Sequence, residues 1–261
     1  MSQFTIKSRL RRSLPKPILH MRLLILGIIR LSRSEKRECN VCGFVGRFWP
    51  FGDPPRRAVS CGNCGCVERH RLVALWISRN PGIVEEAGIL HFAPEPGLAS
   101  IFRAKSSNYR SADLNPSVAD MVLNIEAIDL NDESVDVVVA SHVLEHVDDA
   151  KALSEIHRIL KPGGSAVLLF PIVEGWDRTY ENSLHVSESA RTTYYGQFDH
   201  VRMYGRDART RITDAGFRIN EFTAEAEDVA RYGLSRGEKV FIAVKDQDAT
   251  SEVSRLAAGD T

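Results

Sequence analysis

The chain has no apolar run of membrane-spanning length. The N-terminal stretch Ile18–Leu31 is interrupted by His20, Arg22 and Arg30, and its longest unbroken part is Leu23–Ile29. That is far short of the roughly 20 residues a spanning helix needs. No small-residue cleavage site of the secretory kind follows it. Net charge is also absent, since 34 Lys and Arg balance 34 Asp and Glu over 261 residues. The balance is uneven, however, because residues 1–38 hold ten Lys/Arg against two Asp/Glu, which leaves the remainder acidic. An enzyme of nucleic acid would carry basic residues across its main body, so nucleic acid is disfavoured as a partner. Cysteine is scarce at five residues. Without a secretory signal those thiols are expected in a reducing, cytoplasmic compartment. Residues 1–37 read as a basic amphipathic extension; packing against the main domain is the preferred role, and peripheral contact with an anionic membrane stays open. Residues 246–261 are polar and without aromatics, and are expected to be a disordered tail.

Four of the five cysteines form Cys39-x-x-Cys42 and Cys61-x-x-Cys64, separated by 18 residues. That spacing is a tetrathiolate zinc pattern. Gly43 and Gly65 follow the two pairs, so the backbone can curl and aim amides at the sulfurs. A site closed by four thiolates has no place left for water and is structural. Cys66 and His70 lie close by, but the set is complete without them. Arg47-Phe48-Trp49-Pro50-Phe51 sits between the pairs. These aromatics could stack on bases, although packing the small ribbon onto its neighbour is the preferred role. Val67–Ile77 reads as a helix with Leu72, Leu75 and Trp76 on one face, ending before Asn80-Pro81-Gly82. Residues 38–80 thus form a zinc ribbon and connecting helix, joined without a linker to a domain over 81–245.

Within that domain, Val135–Ala140 is a β-branched apolar run suited to a strand buried on both faces of a parallel sheet. It stops at Ser141-His142-Val143-Leu144-Glu145-His146-Val147. Asp149–Leu160 then places Ala152, Leu153, Ile156, Ile159 and Leu160 on one helical face. Lys161-Pro162-Gly163-Gly164 ends the helix, and Ser165–Phe170 is the next strand. In open α/β sheets ligands bind at the carboxyl ends of the strands, which is where His142, Glu145 and His146 stand.

Residues 134–171, SVDVVVASHVLEHVDDAKALSEIHRILKPGGSAVLLFP, resemble the central segment of class I S-adenosylmethionine-dependent methyltransferases of the small-molecule, type 11-like kind. The resemblance implies an α/β, doubly wound, Rossmann-like sheet of seven strands with the last antiparallel, and S-adenosylmethionine as cofactor. Gly88–Ala93 reads as the first strand, followed by Pro94-Glu95-Pro96-Gly97 and a helix from Leu98. The family's loop here is glycine-rich; this chain keeps only Gly97, with Ala93 and Glu95 at the other positions and His91 in place of the usual acid. Glu95 would bind the cofactor's ammonium group or cap the helix. Asp113 ends the second strand, Tyr109–Ala112, sixteen residues after Gly97, where an acid accepts ribose hydroxyls. Met121–Ile125 is the third strand; Asn124 and the backbone of Ile125 occupy the adenine positions. Ser141 and His142 complete the expected cofactor set of Ala93, Glu95, Gly97, Asp113, Asn124, Ile125, Ser141 and His142.

His142 is also a base candidate at the end of the fourth strand, with the Glu145-His146 pair ordering the turn. Pro171–Arg206 is polar and aromatic and reads as a substrate lid, since few of its residues suit an apolar core. Its Phe198–Gly205 segment resembles one in methyltransferases that share the ribbon, which makes His200 the second base candidate. Ala208–Ala215 reads as a helix, and Phe217–Thr223 and Lys239–Val244 as the closing strands. The leading expectation is methyl transfer to a small molecule or a glycan sugar. An RNA methyltransferase gripping its substrate with the ribbon, and a non-catalytic module of the same fold, are the alternatives.

Overall fold

A computed structural model describes Met21 and residues 36–52 and 55–247. Most of the N-terminal extension and nearly all of the C-terminal tail expected above lie outside these residues. Among the described residues no helix is long and apolar enough to cross a membrane.

The chain begins with two short antiparallel pairs. β1 (Arg37–Glu38) pairs with β2 (Val45–Gly46), and β3 (Trp49–Phe51) with β4 (Arg56–Ser60). Two helices follow, α1 (Glu68–Arg79) and the single turn α2 (Pro81–Val84). The main sheet is then built from β5 (Ile89–Phe92), β6 (Tyr109–Asp113), β7 (Met121–Val122), β8 (Val135–Ser141), β9 (Leu160–Leu169), β12 (Phe217–Thr223) and β13 (Lys239–Lys245), in the order β12-β13-β9-β8-β5-β6-β7. β13 alone runs opposite in direction to the other six strands of this sheet. The seven-stranded, doubly wound sheet expected from the sequence is therefore present.

Both faces of that sheet are covered, which explains why its central strands read as continuous apolar runs. Leu90, Phe92, Val138, Ala140, Ala166 and Leu168 point to one core with α4 (Asp149–Ile159) and α6 (Ala208–Asp214). The alternate residues Ile89, Val137, Val139, Val167 and Leu169 point to the other, with α1 and α3 (Pro96–Lys105). Residues 171–206 carry β10 (Tyr180–Glu181), α5 (Glu188–Tyr195) and β11 (Arg202–Met203), with β10 and β11 paired antiparallel. A last helix, α7 (Ala226–Tyr232), precedes β13.

Several local expectations are amended. The third strand is two residues long rather than five, because the chain turns at Asn124, whose side-chain Oδ1 accepts from the Glu126 amide at 3.0 Å. The helix over residues 149–159 is capped by Asp148, which accepts from Lys151, while Asp149 turns inward. Lys161–Gly164 belongs to β9, reached through a bulge opposite Val135–Val137. A Cβ at Gly164 would come within 3 Å of the carbonyl oxygens of Lys161 and Asp136, so only glycine lets the backbones approach there. α7 carries no strong apolar period and escaped the sequence reading. The segment over 171–206, expected above as a lid, is less polar in its setting than its composition suggests, since Tyr195 and Tyr204 are fully buried and Tyr204 joins the main core.

The ribbon packs firmly on the sheet domain. Arg71 of α1 is fully buried; it donates to the carbonyls of Cys66 at 2.6 Å, Tyr232 at 2.7 Å and Gly233 at 3.0 Å, and lies over the Phe48 ring. Phe48 is thus the aromatic that packs, whereas Trp49 and Phe51 stay exposed, contrary to the expectation that the group as a whole would pack. A Cβ on Gly97 would sit 2.3 Å from the Cys66 sulfur, so the close approach that requires glycine at this position is toward the ribbon.

Candidate functional site

The sheet changes direction of winding at β5, which has β6 on one side and β8 on the other. Their carboxyl ends frame a cleft of about 610 Å³ lined by Ala93, Asp113, Asn124, Ile125, His142, Val143, His146, Arg191 and Asp199 among others. This volume is in the range of sites for nucleoside-sized ligands. A second cleft of about 480 Å³ lies at the amino ends, near Gly88, Asp136 and Lys161, away from where such sheets bind ligands.

Five of the eight expected cofactor residues line the first cleft. Two of them hold left-handed backbone without being glycine, Ala93 at φ +47° and His142 at φ +56°. Such strain costs on the order of 1–3 kcal/mol and persists where the fold enforces it, commonly at binding sites. At Ala93 the chain keeps the backbone of a glycine loop without the glycine. Asp113 accepts from the Asn115 amide at 2.8 Å through Oδ1, so it both holds the turn and presents its other oxygen at the strand end. Asn124 is turn-capping through the same kind of bond, which leaves its amide nitrogen and a second carbonyl lone pair.

Glu95, Gly97 and Ser141 are outside the lining. Glu95 makes no side-chain cap for α3. Its Oε2 lies 3.2 Å from His91 Nε2, and its Oε1 3.5 Å from His70 Nε2 and 3.8 Å from Arg69. Burial pushes the Glu95 carboxyl up, but the bond from His91 and the nearby His91 and His70 charges outweigh it and hold it below the usual range. Burial also pulls His70 down to about 4. Ser141 is buried, and its Oγ has no partner among the described residues.

The turn after β8 carries the ionisable residues. His142 Nδ1 is 2.9 Å from Oε1 of Glu145, which is 1 % exposed. A carboxylate held in this way fixes the ring orientation and leaves Nε2 directed elsewhere. His142 is partly exposed in the cleft wall, as a base must be. His200, the other base candidate, lies one layer behind, 4.8 Å from the His146 ring and 7 % exposed. Burial lowers its pKa. It arrives there because residues 199–204 dock on the turn. Val201 donates to the Glu145 carbonyl at 2.9 Å, Arg202 to those of Leu144 and Val147, and Tyr204 to Asp149 Oδ2 at 2.9 Å. Arg191 and Asp199 complete the cleft, and no motif in the sequence marked Arg191.

In the ribbon the four cysteine sulfurs lie within 4.8 Å of one another. Cys39 and Cys64 are 3.6 Å apart, and Cys42 and Cys61 3.7 Å. A zinc ion with Zn–S bonds near 2.3 Å places its sulfurs about 3.8 Å apart, so the cluster fits one. The Asn63 amide donates to Cys61 at 3.4 Å. Without a metal, burial pushes Cys39 and Cys61 up, whereas at Cys42 the burial effect is overcome by hydrogen bonds from Phe44 and Asn63, which bring it to about 7. Cys66 is buried beside Gly97 and raised to about 12, first by that burial, consistent with a packing role.

Residues 93–168 match a family model described as a methyltransferase domain. The matched segment runs from the left-handed Ala93 into β9 and includes the expected cofactor residues. No curated protein sequence matches the chain. Similar solved structures include a chain of the Haloferax volcanii complex between the Trm112 methyltransferase activator and a methyltransferase, with 18% identity, a TM-score of 0.48, and 69% of this chain and 91% of that one covered. Another is the Burkholderia thailandensis 1,6-didemethyltoxoflavin-N1-methyltransferase with S-adenosylhomocysteine, at 15% identity, TM-score 0.47, and 68% and 77% coverage. A third is a methyltransferase from Bacillus halodurans, at 16% identity, TM-score 0.45, and 66% and 99% coverage.

Proposed function

We propose that this protein transfers a methyl group from S-adenosylmethionine to a small molecule or sugar. The observation that carries the reading is the cleft at the switch point of the sheet, where the methyltransferase-domain segment brings together Asp113, Asn124, Ile125 and His142. Asp113 would accept the ribose hydroxyls, the strand-end backbone at Ile125 and the Asn124 side chain would meet adenine, and Ala93 would let the backbone pass close to the methionine moiety. The bound sulfonium supplies an electrophilic methyl. His142, oriented by Glu145, would take the proton from the attacking acceptor group. His200 faces His146 rather than the cleft, so the base role falls on His142.

The lid supports a small acceptor. Tyr180, His185 and Tyr194 cluster on it, with the last two rings stacked at 3.9 Å, and Arg191 borders both the cleft and the lid hollow around His185. In this reading residues 38–80 are a zinc ribbon with its connecting helix, residues 81–245 the methyltransferase domain, and the zinc is structural. A second reading, methylation of RNA gripped by the ribbon, draws support from the exposed Trp49 and Phe51.

Calorimetry with S-adenosylmethionine and S-adenosylhomocysteine tests the first reading. Micromolar binding is expected, weakened by about 1.5–3 kcal/mol in Asp113→Ala, the range for losing a charged hydrogen-bond partner. Absence of binding would remove the methyl-transfer reading, and salt-sensitive RNA binding by the protein would favour the second.

A further inference from the structure

Glu145, His146 and His200 are not all consumed by the roles given above. One ligand atom from each lies within 4.8 Å of the others, against about 3 to 3.5 Å between neighbouring ligands around a metal with bonds near 2.1 Å. Small side-chain rotations would close that gap. Glu145 Oε2 and His200 Nδ1 are buried without a hydrogen-bond partner, and so is Asp199 Oδ1 beside them. A buried polar atom without a partner is costly, so orphans on neighbouring side chains point to a common partner.

The third residue is arranged as a metal-binding histidine usually is. His146 Nδ1 faces Asp199, 3.3 Å from its carbonyl and 3.4 Å from its carboxylate. A carboxylate on one ring nitrogen fixes the tautomer and leaves the other nitrogen's lone pair for a metal. The neighbouring cation Arg202 is engaged with the carbonyls of Leu144 and Val147 and with Glu181 and Asp149, so it does not neutralise Glu145.

We propose that Glu145, His146 and His200 hold one divalent transition-metal ion in the wall of the cleft. Two imidazoles and one carboxylate suit Mn²⁺, Fe²⁺, Co²⁺ or Zn²⁺ rather than Ca²⁺, and leave coordination positions open. His146 and Asp199 belong to the cleft lining, so the open positions face the space an acceptor would occupy. A metal there would bind an acceptor oxygen and lower its pKa, beside His142. That last step rests on the methyl-transfer reading; the binding of the ion does not.

The test uses Mn²⁺ alone, on full-length protein whose ribbon is already loaded with zinc, and without S-adenosylmethionine. Loss of the free Mn²⁺ paramagnetic resonance signal and calorimetry should both report one equivalent bound, and water-proton relaxation should rise because open positions exchange solvent. Glu145→Gln and His200→Asn should each weaken binding about tenfold or more. Spin-echo spectra of the wild type, which need no variant to fold, should show two coordinated imidazoles. No binding at millimolar Mn²⁺, a bound ion without imidazole, or undiminished affinity in both variants overturns the proposal and leaves a buried water as the common partner. Mn²⁺ binding in a protein that ignores S-adenosylmethionine upholds the site and removes methyl transfer, whereas the reverse result removes the site alone.

Discussion

His142 combines three features seldom found in one residue, since it has left-handed backbone, a buried carboxylate on Nδ1 and partial exposure in a cleft. Each was invisible in the sequence, where the residue was one histidine of two within five positions. A base acts on the proton-transfer step, not on cofactor affinity. His142→Asn should therefore lower kcat by about 10²-fold or more, the usual contribution of general base catalysis, while calorimetry finds S-adenosylmethionine affinity within about twofold of wild type. Full turnover in the variant would move the base elsewhere. The place of Asp113 at the end of β6, in the cleft wall, was legible because its distance from the loop follows from the strand–helix–strand geometry. Glu95 was not, since nothing in Pro94-Glu95-Pro96 says that His91 and His70, from a strand and a distant helix, will close on it.

Among the elements, the turn that opens α1 is built for neutral pH. The Val67 amide donates to His70 Nδ1 at 3.3 Å, and His70 is half-buried against Glu95. Its pKa falls from 6.5 to about 4 because burial disfavours the charged ring. Between those values the unfolded chain binds the proton and the folded one does not, so this contribution to stability is complete above about pH 6.5 and lost as the pH drops toward 4. Urea unfolding should show stability falling over that window by up to about 3 kcal/mol from this group, with a shallower fall in His70→Gln. An identical pH profile in the variant would show that another group governs the slope.

The ribbon turns make the other prediction at this scale. One zinc per chain should survive dialysis against a mild chelator, and Cys61→Ser should hold little while still binding S-adenosylmethionine. Four thiolates would fill the coordination sphere of the ion, so it would take no part in the chemistry of the cleft. Zinc retained by that variant at normal stability would implicate Cys66 or His70 as a ligand.

Across the whole molecule, Arg71 joins the pieces. Its guanidinium satisfies carbonyls from the ribbon, α7 and the turn after α7 at once. Arg71→Met would keep much of the volume and abandon one buried and two half-buried carbonyl acceptors. A loss of about 2–4 kcal/mol is expected in thermal or denaturant unfolding, since a buried acceptor left without its partner costs about 1–3 kcal/mol. Limited proteolysis should then cut near residues 60–70 before the sheet domain is attacked; a variant as stable and as resistant as wild type would mean the ribbon is held by other contacts.

Local pattern alone determined most strand positions, the paired cysteines and the segment from β8 to β9, and the doubly wound sheet of seven strands was implied by the family resemblance which that segment carries. These follow from periodicity, β-branched runs, proline and glycine, whose effects act within a few residues along the chain. Tertiary structure decided which side chains meet. Gly97 came against Cys66, Asp149 took Tyr204 and Arg211, and the long connection after β9 carried His200 onto Glu145 and His146, 55 and 54 positions away in sequence. Such meetings depend on where long connections return to the sheet, and on which buried groups lack a partner until they do.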